Sequence, residues 1–207
     1  MTRTRLQRHL NTDPHDELGA LRAELARLAA ELEAARAHAA RLEALAHEDP
    51  LTGVCNRRGF LRDLGRALAY RARYGTSIAL ILVDVDRFKG INDAHGHAAG
   101  DRVLQGVAGR LTSALREMDT VARLGGDEFV VIATDVHRPD DVLAVAEKLR
   151  TAMHPPLLVD GCEVPVTLSL GVGLYPDDAT DADGLLRRSD AALYRAKEAG
   201  RDTVRMA

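Results

Sequence analysis

From Leu18 to Ala46, apolar side chains recur three and four residues apart: Leu18, Leu21, Leu25, Leu28, Leu32, Ala35, Ala39, Leu42 and Ala46. That alternation is the a/d stripe of a coiled coil. Between Asp16 and Ala46 there is no proline and a single glycine, Gly19, and Asp13, Pro14 and Asp16 are helix-start residues. With Leu18 at a, the g positions hold Glu17, Glu24, Glu31 and His38, and the e positions Arg22, Ala29, Arg36 and Glu43. In a parallel pair Glu17 meets the partner's Arg22 and Glu31 meets the partner's Arg36, with no like-charge contact. A stripe this narrow suits a two-stranded seam better than a helix docked on its own domain. It predicts a tail over 1–15 and a parallel homodimeric coiled coil over 16–48.

The periodicity stops at Asp49-Pro50-Leu51-Thr52-Gly53, where Pro50 disfavours helix at Asp49 and Gly53 suits a turn. A compact domain is expected over 49–207. Its pattern predicts a helix over 60–74, a strand over 77–84, a helix over 98–115 and strands over 120–124 and 128–133. Then come a helix over 140–153, a strand over 164–175, a helix over 181–199 capped by Gly200, and a last strand over 203–206. Six successive apolar residues, Ile78 to Val83, fit a strand buried on both faces. Gly125-Gly126 fits a tight two-residue hairpin turn that needs positive φ. A helix followed by βαββαβ, with one more helix and strand, is the split βαβ, ferredoxin-like α+β layout.

Composition narrows the function. The 207 residues are 46% hydrophobic but only 3% aromatic, with no Trp, so a core must be built from Leu, Val, Ile and Ala. A net charge of −3 gives no general attraction to nucleic acid or anionic membrane, so a phosphate ligand needs a local site. Two cysteines, Cys55 and Cys162, make no disulfide framework, fit a reducing compartment and are both read as packing residues. No apolar run approaches the roughly 20 residues of a membrane helix. Arg3, Arg5 and Arg8 are not followed by the apolar stretch of a secretory signal. A cytoplasmic protein without nucleic-acid or membrane partner is expected. The 48 residues before Asp49 are too few for a sensor beside a coiled coil, so the input is expected from an upstream sensor domain or a separate partner.

Two carboxylates, Asp84 and Asp86, end the most apolar strand, on one face by alternation. Asp127 and Glu128 follow the glycine turn of a hairpin that this layout can set beside that strand. Acids converging on one edge would repel, with raised pKa values, unless a hard divalent cation joined them; Mg²⁺ prefers oxygen ligands shared with substrate phosphates. Solvated strand ends remain an equal reading of the acids alone. Lys197 and Arg201, four apart, share a helix face, and Lys89 follows the Asp pair. They suit phosphates, as in phosphoryl transfer, or a helix dipole. His95 and His97 show no metal-like spacing.

Gly125-Gly126-Asp127-Glu128-Phe129 spells the signature of the GGDEF family of diguanylate cyclases. Val83-Asp84-Val85-Asp86-Arg87-Phe88-Lys89-Gly90-Ile91-Asn92-Asp93 and His97-Ala98-Ala99-Gly100-Asp101 resemble two further motifs of that family. So do Asp49-Pro50-Leu51-Thr52-Gly53 with Asn56-Arg57-Arg58, and Tyr194-Arg195-Ala196-Lys197 with Gly200-Arg201. The resemblance runs from Asp49 to about Val204, roughly three-quarters of the chain, and five motifs in order exclude chance. It implies a nucleotidyl-cyclase, palm-like domain that joins two GTP into cyclic di-GMP as a dimer, releasing pyrophosphate. It further implies Mg²⁺, or Mn²⁺, on Asp84, the Val85 carbonyl and Asp127. Phe88 and Lys89 would offer backbone N–H groups to phosphates, and Lys197 and Arg201 would hold the terminal phosphates. Asn92 and Asp101 would read guanine, Gly125 and Gly126 would admit the nucleotide, and Glu128 would bind metal or help deprotonate the 3′-hydroxyl. Arg116-Glu117-Met118-Asp119, with Arg123, resembles the family's RxxD site for inhibition by bound product. The alternative expectation is a catalytically weak module that binds GTP or cyclic di-GMP and regulates a partner, and intact Asp84, Asp127, Glu128, Lys197 and Arg201 argue against it. A protein that acts only through its coiled coil would leave those residues unexplained.

Overall fold

A computed structural model describes residues 14–136 and 138–207; the predicted tail, up to residue 13, lies outside the described residues. Helix α1 (Pro14–His47) carries the heptad stripe. Leu18, Leu21, Leu25, Leu28, Leu32 and Leu42 stand 45–60% exposed along it. Arg27 pairs with Glu24 at 2.6 Å and with Glu31, and Arg36 pairs with Glu33 at 3.0 Å. Pairs as exposed as these are screened by water and contribute little to stability.

The second compact unit, Leu45–Ala207, is built on a five-stranded sheet. Its elements are α2 (Arg57–Tyr74), β1 (Ser77–Val85), α3 (Phe88–His95), α4 (His97–Ala114), β2 (Thr120–Gly125), β3 (Glu128–Val136), α5 (Pro139–Thr151), β4 (Leu157–Val159), β5 (Cys162–Val164), β6 (Leu168–Tyr175), α6 (Ala182–Glu198) and β7 (Val204–Met206). The strand order is β2-β3-β1-β6-β7. β1 is central and antiparallel to β3 and β6; β7 joins β6 in parallel. β1, α4, β2, β3, α5 and β6 form the ferredoxin-like βαββαβ frame.

The apolar run of β1 is covered on both faces, as expected. Ala79, Ile81, Val83 and Val85 pack into a core with α4 and α5. Ile78, Leu80 and Leu82 join Phe60 and Leu64 of α2 and Leu185 and Leu193 of α6. Asp84 therefore continues the series that faces α2 and α6. Asn56 caps α2, its side chain accepting from the Arg58 and Gly59 N–H groups.

Several expectations need correction. The helix predicted over 98–115 is preceded by α3, too short at eight residues to show a period. The hairpin loop is Gly126-Asp127, because Gly125 still pairs with Glu128. The strand predicted over 164–175 begins at Leu168, after the small β4–β5 hairpin. That hairpin leaves Cys162 exposed, whereas Cys55 is half-buried. β1 ends at Val85, so Asp86 lies past the strand and alternation does not govern it.

Candidate active site

The acids gather where β1, β3 and α6 meet. Asp84 and Glu128 are direct partners in the β1–β3 ladder. Asp127, in the intervening loop, accepts the Val85 N–H through its backbone carbonyl at 3.3 Å. The tip of the β2–β3 hairpin is thus fastened to the end of β1, and Asp84, Asp127 and Glu128 share one edge. Positive φ at Gly125 (148°) and Gly126 (54°) makes this turn. A Cβ at either glycine would meet nothing within 4 Å, so space beside the turn is open.

Helix α6 brings the complementary cation. Lys197 Nζ lies 2.6 Å from Asp84 Oδ2. The reach follows from how α6 lies on the sheet. The buried Ser189 hydroxyl donates to the Leu80 carbonyl of β1. From Ser189 to Lys197 the helix rises about 12 Å, and from Leu80 to Asp84 the strand advances about 13 Å. Asp84 is 8% exposed. Burial lifts its carboxyl above the ordinary carboxylate value; the Lys197 ammonium pulls it down, and the Asp127 and Asp86 charges push it up. A carboxyl ¹³C titration of the nucleotide-free protein is therefore expected to place the Asp84 midpoint above about 3.9. Lys197→Ala should raise it further, since the ammonium favours the ionised form; an unchanged or lowered midpoint would contradict the pairing.

Asp86, grouped with these acids by sequence, is engaged elsewhere. Its carboxylate accepts from Ser169 Oγ (2.6 Å), Thr167 Oγ1 (2.7 Å) and the Asp202 N–H (3.0 Å). Among the described residues no three His, Cys, Asp or Glu side chains form a metal cage. Two carboxylates and a strand-end carbonyl still fit Mg²⁺, which takes its remaining ligands from phosphates and water.

Phe88 and Lys89 open α3, after Arg87 in the left-handed region (φ 54°) and without a side-chain cap. The first N–H groups of a helix have no intrahelical acceptor and are suited to an anion. Asn92 lies further along α3 with its Oδ1 buried and unpartnered. Gly100 of α4 makes the room, since a Cβ there would stand 1.9 Å from that oxygen. Sequence reading missed this role; only the spacing of Gly100 beside Asp101 hinted at it. Asp101 is exposed one residue beyond.

The proposed product-site residues divide. Asp119 accepts from the Arg116 N–H (3.1 Å) and the Thr134 N–H (3.2 Å), shaping the turn that leads into β2. Arg116 is exposed, and with Asp119 it lines grooves of about 840 and 600 Å³. Arg123 turns away from them. Its guanidinium pairs with Asp49 (3.1 Å) and donates twice to the Gly126 carbonyl (2.9 and 2.7 Å). This brace from the start of the domain to the glycine turn carried no sequence signal, because its partners lie 74 residues apart.

A family model described as diguanylate cyclase, GGDEF domain, matches residues 46–203. The diguanylate cyclase TpbB of Pseudomonas aeruginosa is 43% identical over 163 residues, 78% of this chain and 38% of the relative. The chain thus spans under two-fifths of that protein's length. The crystal structure of the TpbB GGDEF domain superposes with a TM-score of 0.74 at 41% identity, covering 75% of this chain and 98% of that one. The coiled coil and GGDEF domain of DgcB from Caulobacter crescentus, in complex with c-di-GMP, gives a TM-score of 0.80 at 32% identity, covering 91% of this chain and all of that one. Among the described residues no helix is long and apolar enough to cross a membrane.

Proposed function

Since the chain belongs to the GGDEF family of diguanylate cyclase domains, we propose that it condenses two GTP into cyclic di-GMP. The carrying observation is the pair between buried Asp84 and half-buried Lys197 at the edge shared with Asp127 and Glu128. Acid and base stand together there beside an open glycine turn. Asp84, Asp127 and the Val85 carbonyl would hold Mg²⁺ or Mn²⁺, which when bound neutralises phosphate charge. Lys197 then exchanges Asp84 for terminal phosphate oxygens, joined by Arg201, and the Phe88 and Lys89 N–H groups face the same triphosphate. The buried Asn92 Oδ1 is an acceptor in need of a donor. Guanine offers N1–H and an exocyclic amine on one edge, which Asn92 and Asp101 can share; adenine lacks this edge.

Each 3′-oxygen attacks the α-phosphorus of the other GTP. A P–O bond forms, the α–β phosphoanhydride bond breaks, pyrophosphate leaves, and the hydroxyl proton is lost with help from Glu128. Both attacks need two half-sites facing each other. The exposed leucine seam of α1 supports a parallel homodimer that raises the effective concentration of one half-site near the other. Product inhibition is assigned to Arg116, which can clamp a phosphate bidentately, with Asp119 accepting through lone pairs left by its two backbone bonds. Arg123, held by Asp49 and Gly126, acts by bracing the turn. The signal reaching the domain is assigned to an upstream sensor domain or a separate partner.

The deciding assay is incubation of the purified chain with GTP and Mg²⁺. Cyclic di-GMP and pyrophosphate should appear in a 1:2 ratio, with ATP yielding neither. GTP binding without product would point instead to a regulatory module.

A further inference from the structure

The Asp86 carboxylate, 6% exposed, has its three hydrogen bonds from Ser169, Thr167 and the Asp202 N–H. A carboxylate so occupied has little left for a metal, and the bond to Asp202 gives it another use. Gly200, Arg201 and Asp202 have φ values of 107°, 68° and 43°. Two of these three successive left-handed residues carry side chains, a conformation that persists only where the surroundings hold it. Asp86 grips this loop from inside the fold. Arg150 of α5 grips it from outside, its Nη1 2.8 Å from Asp202 Oδ1 and its Nε 2.8 Å from Glu147 Oε2. Both grips close on Asp202; Arg201 is the residue before it, its N–H bonded to the Ala196 carbonyl at 3.2 Å, just past the helix that delivers Lys197 to Asp84.

We propose that Asp86, together with Arg150, is a positioning residue for phosphate binding: they hold the Gly200–Asp202 loop so that Arg201 projects from a fixed backbone toward the triphosphate. The inference rests on the reading of Arg201 as a phosphate ligand. The two acids at the end of β1 then divide the work, Asp84 serving the metal and Lys197, Asp86 serving Arg201.

The test is a double-mutant cycle on the full chain, with KM for GTP, kcat and the Mg²⁺ concentration for half-maximal rate measured for each protein. Asp86→Asn presents an amide N–H₂ to groups that are themselves donors. It should raise KM about tenfold, as loss of a residue that orients a ligand typically does. It should leave the Mg²⁺ requirement within about twofold of wild type. Arg201→Ala should raise KM by a similar factor. The double variant should be hardly worse than Arg201→Ala alone, since coupled residues are not additive. Multiplied effects, or a shifted Mg²⁺ requirement, would overturn the assignment. Asp202→Asn keeps the backbone N–H and tolerates the left-handed region while losing the ion pair. If Asp86→Asn fails to fold, this variant decides the question: a KM raised by a factor that Arg201→Ala masks supports the proposal, and an unchanged KM overturns it. A wild-type chain that binds no GTP would sink the functional reading itself, before any variant is made.

Discussion

Replacing Asp127 with alanine is expected to cut cyclic di-GMP formation by on the order of 10³-fold, the scale lost when a preorganised charge is removed from a phosphoryl-transfer site. That corresponds to about 4 kcal/mol of transition-state stabilisation. The fold should survive, because the backbone of Asp127, rather than its side chain, secures the turn: its carbonyl accepts the Val85 N–H. Alanine keeps that bond and keeps Gly126 at its positive φ. The melting temperature should therefore stay within about 2–4 °C of wild type, the shift produced by roughly 1 kcal/mol in a domain of this size. The Asp127 charge also helps push the Asp84 carboxyl upward, so Asp84 in the variant should ionise at lower pH. Asp127→Asn should behave similarly, since the negative charge is what counts. Product chromatography beside thermal unfolding checks the result; retention of a tenth of the wild-type rate would remove Asp127 from the metal site.

Most of the frame could be read from periodicity, because the strongest patterns report the strongest burial. The six-residue apolar run of β1 belongs to a strand packed on two faces, and the three-four spacing of leucines belongs to α1. What escaped was short or non-local. α3 has eight residues, barely two turns, and its composition resembles a loop. Two adjacent glycines suit a turn equally well in sequence, yet only the second lies in the loop, because Gly125 still pairs with Glu128. The positions of Asp84, Asp127, Glu128 and Lys197 followed from motif and strand order. The partners that orient the site did not. Asp49 with Arg123, Arg150 with Asp202 and Asp86 with Ser169 are separated by 74, 52 and 83 residues, and nothing local marks such pairs. The same limit explains why Asp86 reads as one more acid beside Asp84, although its hydrogen-bond donors come from Thr167 just before β6, from Ser169 in β6 and from the loop after α6.

Gly171→Ala is expected to cost more stability than any surface change in the domain, and to dismantle the active edge as it does so. Gly171 lies in β6 where α6 crosses closest. A Cβ there would stand 2.1 Å from the Leu193 nitrogen, 2.2 Å from the Ser189 carbonyl oxygen and 2.6 Å from the Leu193 Cα. All three are backbone atoms in one helix, so the clash cannot be relieved by a rotamer change; α6 must lift from the sheet. Lifting it strains the bond from the Ser189 hydroxyl to Leu80 and the packing of the buried Leu185 and Leu193. The cost should exceed about 4 kcal/mol, the range reserved for severe core disruption, against a total stability of roughly 5–15 kcal/mol. A fall in melting temperature on the order of 10 °C or more follows. Lys197 rides on the same helix, so whatever protein stays folded should lose the Asp84–Lys197 pair and bind GTP poorly. Two other glycines calibrate the result. Gly173→Ala meets first the Ser189 hydroxyl and a Leu185 methyl, at 2.6 and 3.1 Å, side-chain atoms that can give way, and should be milder. Gly65→Ala, in the interior of α2 with nothing within 4 Å, should stabilise the domain by about 0.5–1 kcal/mol. Equal melting temperatures for Gly171→Ala and Gly65→Ala would mean that α6 does not sit on β6 as described, and that Lys197 reaches Asp84 by some other arrangement.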